Sequence, residues 1–154
     1  MLWKMIIGVV SDTHGVVKPA LLKALQGVQH IIHAGDIGSP EVLDTLNQIA
    51  SVTAVRGNMD NGSWTQNLPF TEMVQFEGKL FYVLHNLAAL DMEPSVAGVA
   101  TVISGHTHHP EIKKDRGILY FNPGSASFGR HGEPPSMGCI ELTVHGLQPQ
   151  IIHL

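Results

Sequence analysis

Met5-Ile6-Ile7-Gly8-Val9-Val10-Ser11-Asp12-Thr13-His14-Gly15 is the stretch that decides the fold class. Its first six residues are an unbroken apolar run, the pattern of a central strand covered on both faces. The run stops at small, polar and charged residues. Lys18-Pro19 then opens a helical pattern with Leu21, Leu22 and Leu25 on one side and Gly27 as its stop. The unit is repeated further along. Residues 30–33 read as a short strand ending at Ala34-Gly35-Asp36-Ile37-Gly38. Ser39 caps a second helix with Pro40 at its first position, and Val42, Leu43, Leu46 and Ile49 form its apolar face. Residues 51–55 give a third strand, ending at Arg56-Gly57-Asn58-Met59-Asp60. A strand followed by glycine beside Asp, His or Asn, three times in series, is an α/β arrangement in which ligands bind beyond the carboxyl ends of strands.

Past these units the pattern changes to hairpins. Residues 61–70 form a polar loop around Asn61-Gly62, with Trp64 and Phe70 exposed on it. Residues 71–76 and 79–84 pair through a turn at Glu77-Gly78, and the second strand runs into His85-Asn86. A short helix is expected after Asp91, with Pro94 in its first turn. The β-branched run 99–103 leads into Gly105-His106-Thr107-His108-His109, closed by Pro110. If residues 106–108 are extended, His106 and His108 point the same way and offer two imidazoles to one place. Gly105 lets the backbone turn without a side chain in the way. Residues 112–114 and 118–121 form a hairpin ending at Asn122-Pro123-Gly124-Ser125. Residues 127–137 are a loop, and 138–144 with 147–152 make a last hairpin turning at His145-Gly146.

Composition narrows the function classes. The 154 residues are 44% hydrophobic and only 14% charged, which excludes disorder and implies a single domain over residues 1–154 with a substantial core. The net charge of −4, without a cluster of Lys or Arg, argues against nucleic acid or an anionic membrane as partners of the surface as a whole. The one cysteine, Cys139, excludes an intrachain disulfide and reads as a small core residue. The apolar N-terminal run is short and lacks a signal-peptide cleavage pattern. No run approaches the ~18 residues of a membrane span, so a cytoplasmic protein is expected. Homo-oligomer formation is left open. Of the ten histidines, His30, His145 and His153 read as structural or exposed, whereas those beside glycine and carboxylates carry the chemistry.

In order, Asp12-x-His14, Gly35-Asp36, Gly57-Asn58-x-Asp60, His85 and Gly105-His106-x-His108 resemble the motifs of the calcineurin-like metallophosphoesterases. In length and in the Asn122-Pro123-Gly124-Ser125 loop, the chain is most similar to their small single-domain bacterial and archaeal phosphodiesterases. The resemblance implies a two-layer β-sandwich flanked by helices, with a dinuclear metal site at the strand ends. Carried over residue by residue, Asp12, His14, Asp36 and His108 would hold one metal. Asp36, Asn58, His85 and His106 would hold the other, with Asp36 bridging. The implied activity is hydrolysis of a small phosphate ester, foremost a phosphodiester, by a metal-bridging hydroxide, with Asp36, Asn58 and His106 as catalytic residues and Asn58 also contacting substrate. Independently of the resemblance, mixed carboxylate, amide and imidazole donors suit Mn²⁺, Fe²⁺, Ni²⁺ or Zn²⁺ better than Ca²⁺ or Mg²⁺, with Mn²⁺ the first expectation. Two such ions ~3.5–4 Å apart can clamp a phosphoryl group during in-line displacement.

Three departures from the family pattern bear on substrate. The histidine that would protonate the leaving group is Met59, a thioether that can neither donate nor hold that proton. The acid expected three residues after Asp36 is Ser39, and Asn86-Leu87 replaces the usual pair after His85. Asp60 is expected to orient a neighbouring histidine, Arg130 to contact a phosphate, and His109 and His131 to be exposed near the mouth. The rival reading is a non-catalytic scaffold of the same fold, as in a retromer subunit that resembles these enzymes. A scaffold is free to lose ligands, yet all seven positions here keep ligating residue types. A metallo-β-lactamase-type hydrolase needs His-x-His-x-Asp-His, and His106-Thr107-His108-His109-Pro110-Glu111 does not supply it.

Overall fold

A computed structural model of the chain describes residues 2–154. Its strands form two five-stranded sheets. In the first sheet β1 (Lys4–Val10), β2 (His30–His33) and β3 (Ser51–Ala54) run parallel, joined by helices α1 (Pro19–Ala24) and α2 (Pro40–Asn47). The antiparallel pair β9 (Ser136–Thr143) and β10 (Gly146–His153) completes it beside β1. The second sheet is mixed. The hairpin β4 (Thr71–Phe76) and β5 (Lys79–Leu84) joins β6 (Val99–Ile103), which runs parallel to both β5 and β8 (Ile118–Asn122), and β7 (Glu111–Asp115) closes the edge.

The position of β1 in the middle of its sheet explains its unbroken apolar run. Ile7 and Val9 enter the core between the sheets with Ile32, Phe81, Val83, Ile103, Leu119 and Phe121. Val10 joins the core beneath the helices, with Leu21, Leu25, Ile31, Val42, Leu46 and Met137. A strand buried on both faces cannot alternate. The outer face of the second sheet is covered in turn: Leu84, Val99, Val102 and Ile118 pack with Leu90 and Met92 from the segment carrying a 3₁₀ turn (Leu87–Ala89) and α3 (Pro94–Ala97). Among the described residues no helix is long and apolar enough to cross a membrane.

Several expectations shift. Ser39 occupies the N-cap position of α2 but makes no side-chain capping bond. Ser136 and Met137 belong to β9 and are buried, so the loop before them is shorter than expected. The final turn falls at Val144-His145, a residue early. Trp64 packs against the helix-side core, while Phe70 stays exposed under Arg56, whose guanidinium carbon lies 5.1 Å from the ring centre. Cys139 is only half-buried, because it falls on the less covered set of alternating β9 positions; burial and the neighbouring Glu141 push its thiol pKa up.

Candidate metal centre

Each parallel strand ends at the same rim, and the residues that follow turn sharply inward. Asp12, His14, Asp36, His106 and His108 all have left-handed backbone, with φ between 48° and 73°. Such a conformation costs an L-residue roughly 1–2 kcal/mol and persists only where its surroundings enforce it. The enforcement is visible. Asp12 and His14 donate their N–H groups to the carbonyls of Gly35 and Asp36, both at 3.0 Å, tying the first loop to the second. The Asp12 carbonyl accepts hydroxyl hydrogen bonds from Ser125 at 2.8 Å and Ser127 at 2.9 Å. Its carboxylate Oδ2 accepts from the Ser11 hydroxyl at 2.6 Å and the His106 N–H at 3.0 Å. The left-handed turns also alter the geometry expected of the His-x-His pair. Residues 106–108 are not extended, and the two imidazoles go to different neighbours. His108 joins Asp12 and His14, whereas His106 faces His85 and Asn58.

Two glycines make the crowding possible. A Cβ on Gly57 would collide with the backbone N and Oδ1 of Asp36, and one on Gly105 with the hydroxyl of Ser11 and Oδ2 of Asp12. At neither is φ positive, so glycine serves close approach rather than a special turn.

The side chains converge. The Nε2 atoms of His14 and His108 lie 3.2 Å apart, and Asp12 Oδ1 is 3.8 Å and 3.3 Å from them. His85 places Nε2 3.3 Å from Asp36 Oδ2, 3.9 Å from Asp12 Oδ1 and 3.3 Å from His106 Nδ1. Asn58 Oδ1 is 3.2 Å from His106 Nδ1, and Asp36 Oδ2 is 4.0 Å from His14 Nε2. All seven candidate ligands thus meet in one cluster. Two triads within it, Asp12–His14–His108 and Asp12–Asp36–His85, each offer three donor atoms within 4.8 Å of one another. Asp12 therefore shares the central place that the resemblance gives to Asp36 alone.

A divalent cation fits this donor set on internal grounds. Asp12 Oδ1 is buried without a hydrogen-bond partner, a costly arrangement for a carboxylate oxygen. Imidazole nitrogens converge on it with lone pairs that cation binding would use. His85 is held in the right tautomer, since its Nδ1 donates to the Ala34 carbonyl at 2.8 Å and leaves Nε2 for the centre.

Protonation equilibria follow from the same contacts. Burial opposes charge on His85, but the hydrogen bond to Asp36 and the two carboxylates outweigh it and raise its pKa. Burial likewise opposes charge on Asp36, yet its bonds from His85 and the Met59 N–H hold its carboxyl below the usual range. Burial, assisted by the charges of Arg130 and His14, lowers the pKa of His108.

Other predicted residues find different roles. Asp60 orients backbone rather than a histidine: its carboxylate accepts the N–H groups of Ile37 at 3.2 Å, Gly38 at 3.0 Å and Gly57 at 2.9 Å. It thereby staples the loops after β2 and β3. Met59 is 62% exposed, which rules out core filler, and its N–H donates to Asp36 Oδ1 at 2.9 Å. Asn86 caps the 3₁₀ turn by accepting the Ala88 N–H. His109 is exposed and meets Glu133 at 2.8 Å; Arg130 and His131 are exposed on the same loop.

Three contributors escape a reading by sequence. His33 is fully buried behind the site. The Thr13 hydroxyl donates to the Ile37 carbonyl, so it must accept from His33 Nε2–H at 3.0 Å, while His33 Nδ1 accepts the Gly35 N–H. Only the neutral imidazole satisfies both bonds, and burial pushes its pKa down to about 3. Ser127 grips Asp12 beside Ser125. Phe128 stacks on His14, with ring centres 5.6 Å apart and planes at 26°, and meets His108 edge-on at 5.2 Å. The alternation Ser125-x-Ser127 after a glycine was the available signal for the serines; a histidine ending an apolar strand gives none.

Known proteins resemble this chain over most of its length. The family profile described as the calcineurin-like phosphoesterase superfamily domain matches residues 5–145. A probable metallophosphoesterase of Methanocaldococcus jannaschii is 37% identical over 139 residues, 82% of this chain and 70% of that protein. Phosphodiesterase YfcE of Escherichia coli is 29% identical over 170 residues, covering 92% of each. A solved structure described as a novel archaeal phosphodiesterase superposes with a TM-score of 0.80 at 26% identity, over 97% of this chain and 100% of that one.

Proposed function

The chain belongs to the calcineurin-like phosphoesterase superfamily, and from that premise we propose that it is a divalent-metal-dependent hydrolase of phosphodiesters. The observation that carries the proposal is the buried, unpartnered Asp12 Oδ1 with His14 and His108 Nε2 converging on it. In this reading Asp12, His14, Asp36 and His108 hold one ion, and Asp36, Asn58, His85 and His106 hold a second. Mn²⁺, Fe²⁺, Ni²⁺ and Zn²⁺ all suit this mixed donor set, and Mn²⁺ is the one to test first. When bound, a pair of such ions supplies charge neutralisation for the phosphoryl group and lowers the pKa of water at the site.

The protein's own groups do the rest. Asp12 and Asp36 bring the negative charge that offsets the cations, and backbone and hydroxyl donors fix their orientation. His85, locked through Ala34, keeps one imidazole nitrogen aimed at the centre. Asn58 and His106 lie at the more open side, where a substrate oxygen can reach both, and Arg130 supplies positive charge nearby. Asn58 and His106 are thus the groups placed to meet the reacting phosphate, while the buried Asp36 would act in catalysis through the ions it holds. Met59 leaves the leaving-group side without a proton donor.

The test is to strip the protein of metal, reload it with Mn²⁺, Fe²⁺, Ni²⁺ or Zn²⁺, and assay phosphodiesters, phosphomonoesters and cyclic nucleotides. Metal-dependent product release, fastest with diesters, is expected. Tight metal binding with no product from any ester would replace the hydrolase reading with that of a metal-bearing scaffold.

A further inference from the structure

We infer that Phe128 is a specificity-determining residue, a stacking platform at the mouth of the metal centre that selects phosphate esters carrying a flat aromatic group. The inference rests on the phosphoesterase reading of the site. Phe128 is 54% exposed, although it is a large apolar side chain in a chain that buries most of its others. It sits against two candidate ligands, stacked on His14 and edge-on to His108. A phosphate held beside those imidazoles therefore has its ester group within reach of the ring's exposed part.

The backbone that carries the ring is also held in place. The Phe128 backbone N–H donates to the Ser125 hydroxyl at 3.1 Å, and the same hydroxyl donates to the Asp12 backbone carbonyl at 2.8 Å. One serine thus ties the backbone beneath the aromatic ring to the backbone of a candidate ligand, which is the preorganisation a binding subsite needs. Two further exposed apolar side chains flank the candidate ligands: Val16, two residues beyond His14, and Met59, next to Asn58. A strongly polar centre with exposed apolar neighbours suits an ester with a charged head and an apolar ring, and suits a methyl ester or a bare sugar phosphate less well.

The experiment measures binding rather than turnover. Mn²⁺-loaded protein is titrated with phenylphosphonate and methylphosphonate, and separately with adenosine monophosphate and ribose 5-phosphate, by calorimetry. Aromatic stacking predicts that the wild type prefers the aromatic member of at least one pair by ~3–10-fold. Phe128→Ala and Phe128→Leu should bring that ratio towards one, while Phe128→Trp keeps it. A response in the nucleotide pair identifies the ring as a nucleobase; a response confined to the phenyl pair identifies a small aryl group. The inference is overturned if the wild type shows no preference in either pair. It is equally overturned if both members of a pair weaken in proportion in the variants, since the ring would then only support the histidines. A protein that shows the preference but hydrolyses no ester would refute the hydrolase reading and leave this one standing.

Discussion

The imidazoles of His14 and His108 face one another with their Nε2 atoms 3.2 Å apart. Between neutral rings such a contact satisfies at most one donor and one acceptor, and a second proton brings two cations together. A divalent ion at that place uses both lone pairs. Metal-free protein should therefore gain stability on titration with Mn²⁺, by about 2.7 kcal/mol at a hundredfold excess over the dissociation constant. His108→Ala should lose most of that gain. A melting temperature indifferent to metal in the wild type would count against the site.

Asp36 touches both halves of the cluster, 3.3 Å from His85 and 4.0 Å from His14. Asp36→Asn removes the charge and presents an amide where Met59 N–H needs an acceptor. Residues that merely support ligands typically cost ~10–100-fold in metal affinity, so a shared ligand should cost at least that. Metal analysis that still finds two tightly held ions per chain in this variant would remove Asp36 from the bridging role.

Asp60 accepts three backbone N–H groups from two loops. In Asp60→Asn the amide nitrogen must turn towards at least one of those donors. The expected loss is about 2–4 kcal/mol in denaturant unfolding, together with weaker metal binding, although Asp60 is not itself a ligand. Stability within a few tenths of a kcal/mol of wild type would contradict the staple.

The neutral His33 makes stability depend on pH. Its pKa in the folded protein is about 3, against ~6.5 unfolded, so below pH ~6.5 the unfolded chain binds a proton that the native protein refuses. The contribution is complete above that pH and is lost as the pH falls towards 3, on the order of 3–5 kcal/mol in all. His33→Gln keeps a donor for Thr13 but cannot titrate. Measured without metal, the variant should be less stable at pH 8 and should lose less stability between pH 6.5 and 4. Parallel curves for the two proteins would show that His33 does not govern this range.

The exposed Met59 side chain allows its replacement without a packing penalty. General acid catalysis is worth ~10²–10⁴-fold where a leaving group needs a proton. Met59→His should therefore speed alkyl diesters far more than nitrophenyl diesters, with metal content unchanged. An unaltered alkyl-to-aryl ratio would place residue 59 away from the leaving group.

The strands and the polar clusters that end them could be read from the sequence, because apolar runs and their punctuation are local signals; the two sheets and the seven-ligand set came from the resemblance to the metallophosphoesterase motifs. The left-handed φ at His106 and His108 could be read from neither. Alternation along a strand predicts one shared direction, but the turn after Gly105 is dictated by Ser11 and Asp12, residues about ninety positions earlier. Asp60 illustrates the same limit. A carboxylate near histidines suggests a histidine partner, whereas its actual partners are backbone donors of a different loop. An apolar neighbourhood in β9 does not say which face each residue occupies, so Cys139, expected in the core, stands half-buried.

The five left-handed candidate ligands also set selection for stability against selection for the site. Glycine at His14 or His106 would relax a strained backbone at a cost of only roughly 0.5–1 kcal/mol in chain flexibility, less than the strain it relieves. In a lineage that no longer used the metal centre, replacing His14 or His106 would be open to single substitutions, whereas Asp12 and Asp36 accept hydrogen bonds that their loss would leave unmade. Glycine at either histidine would thus be the first mark of a centre out of use.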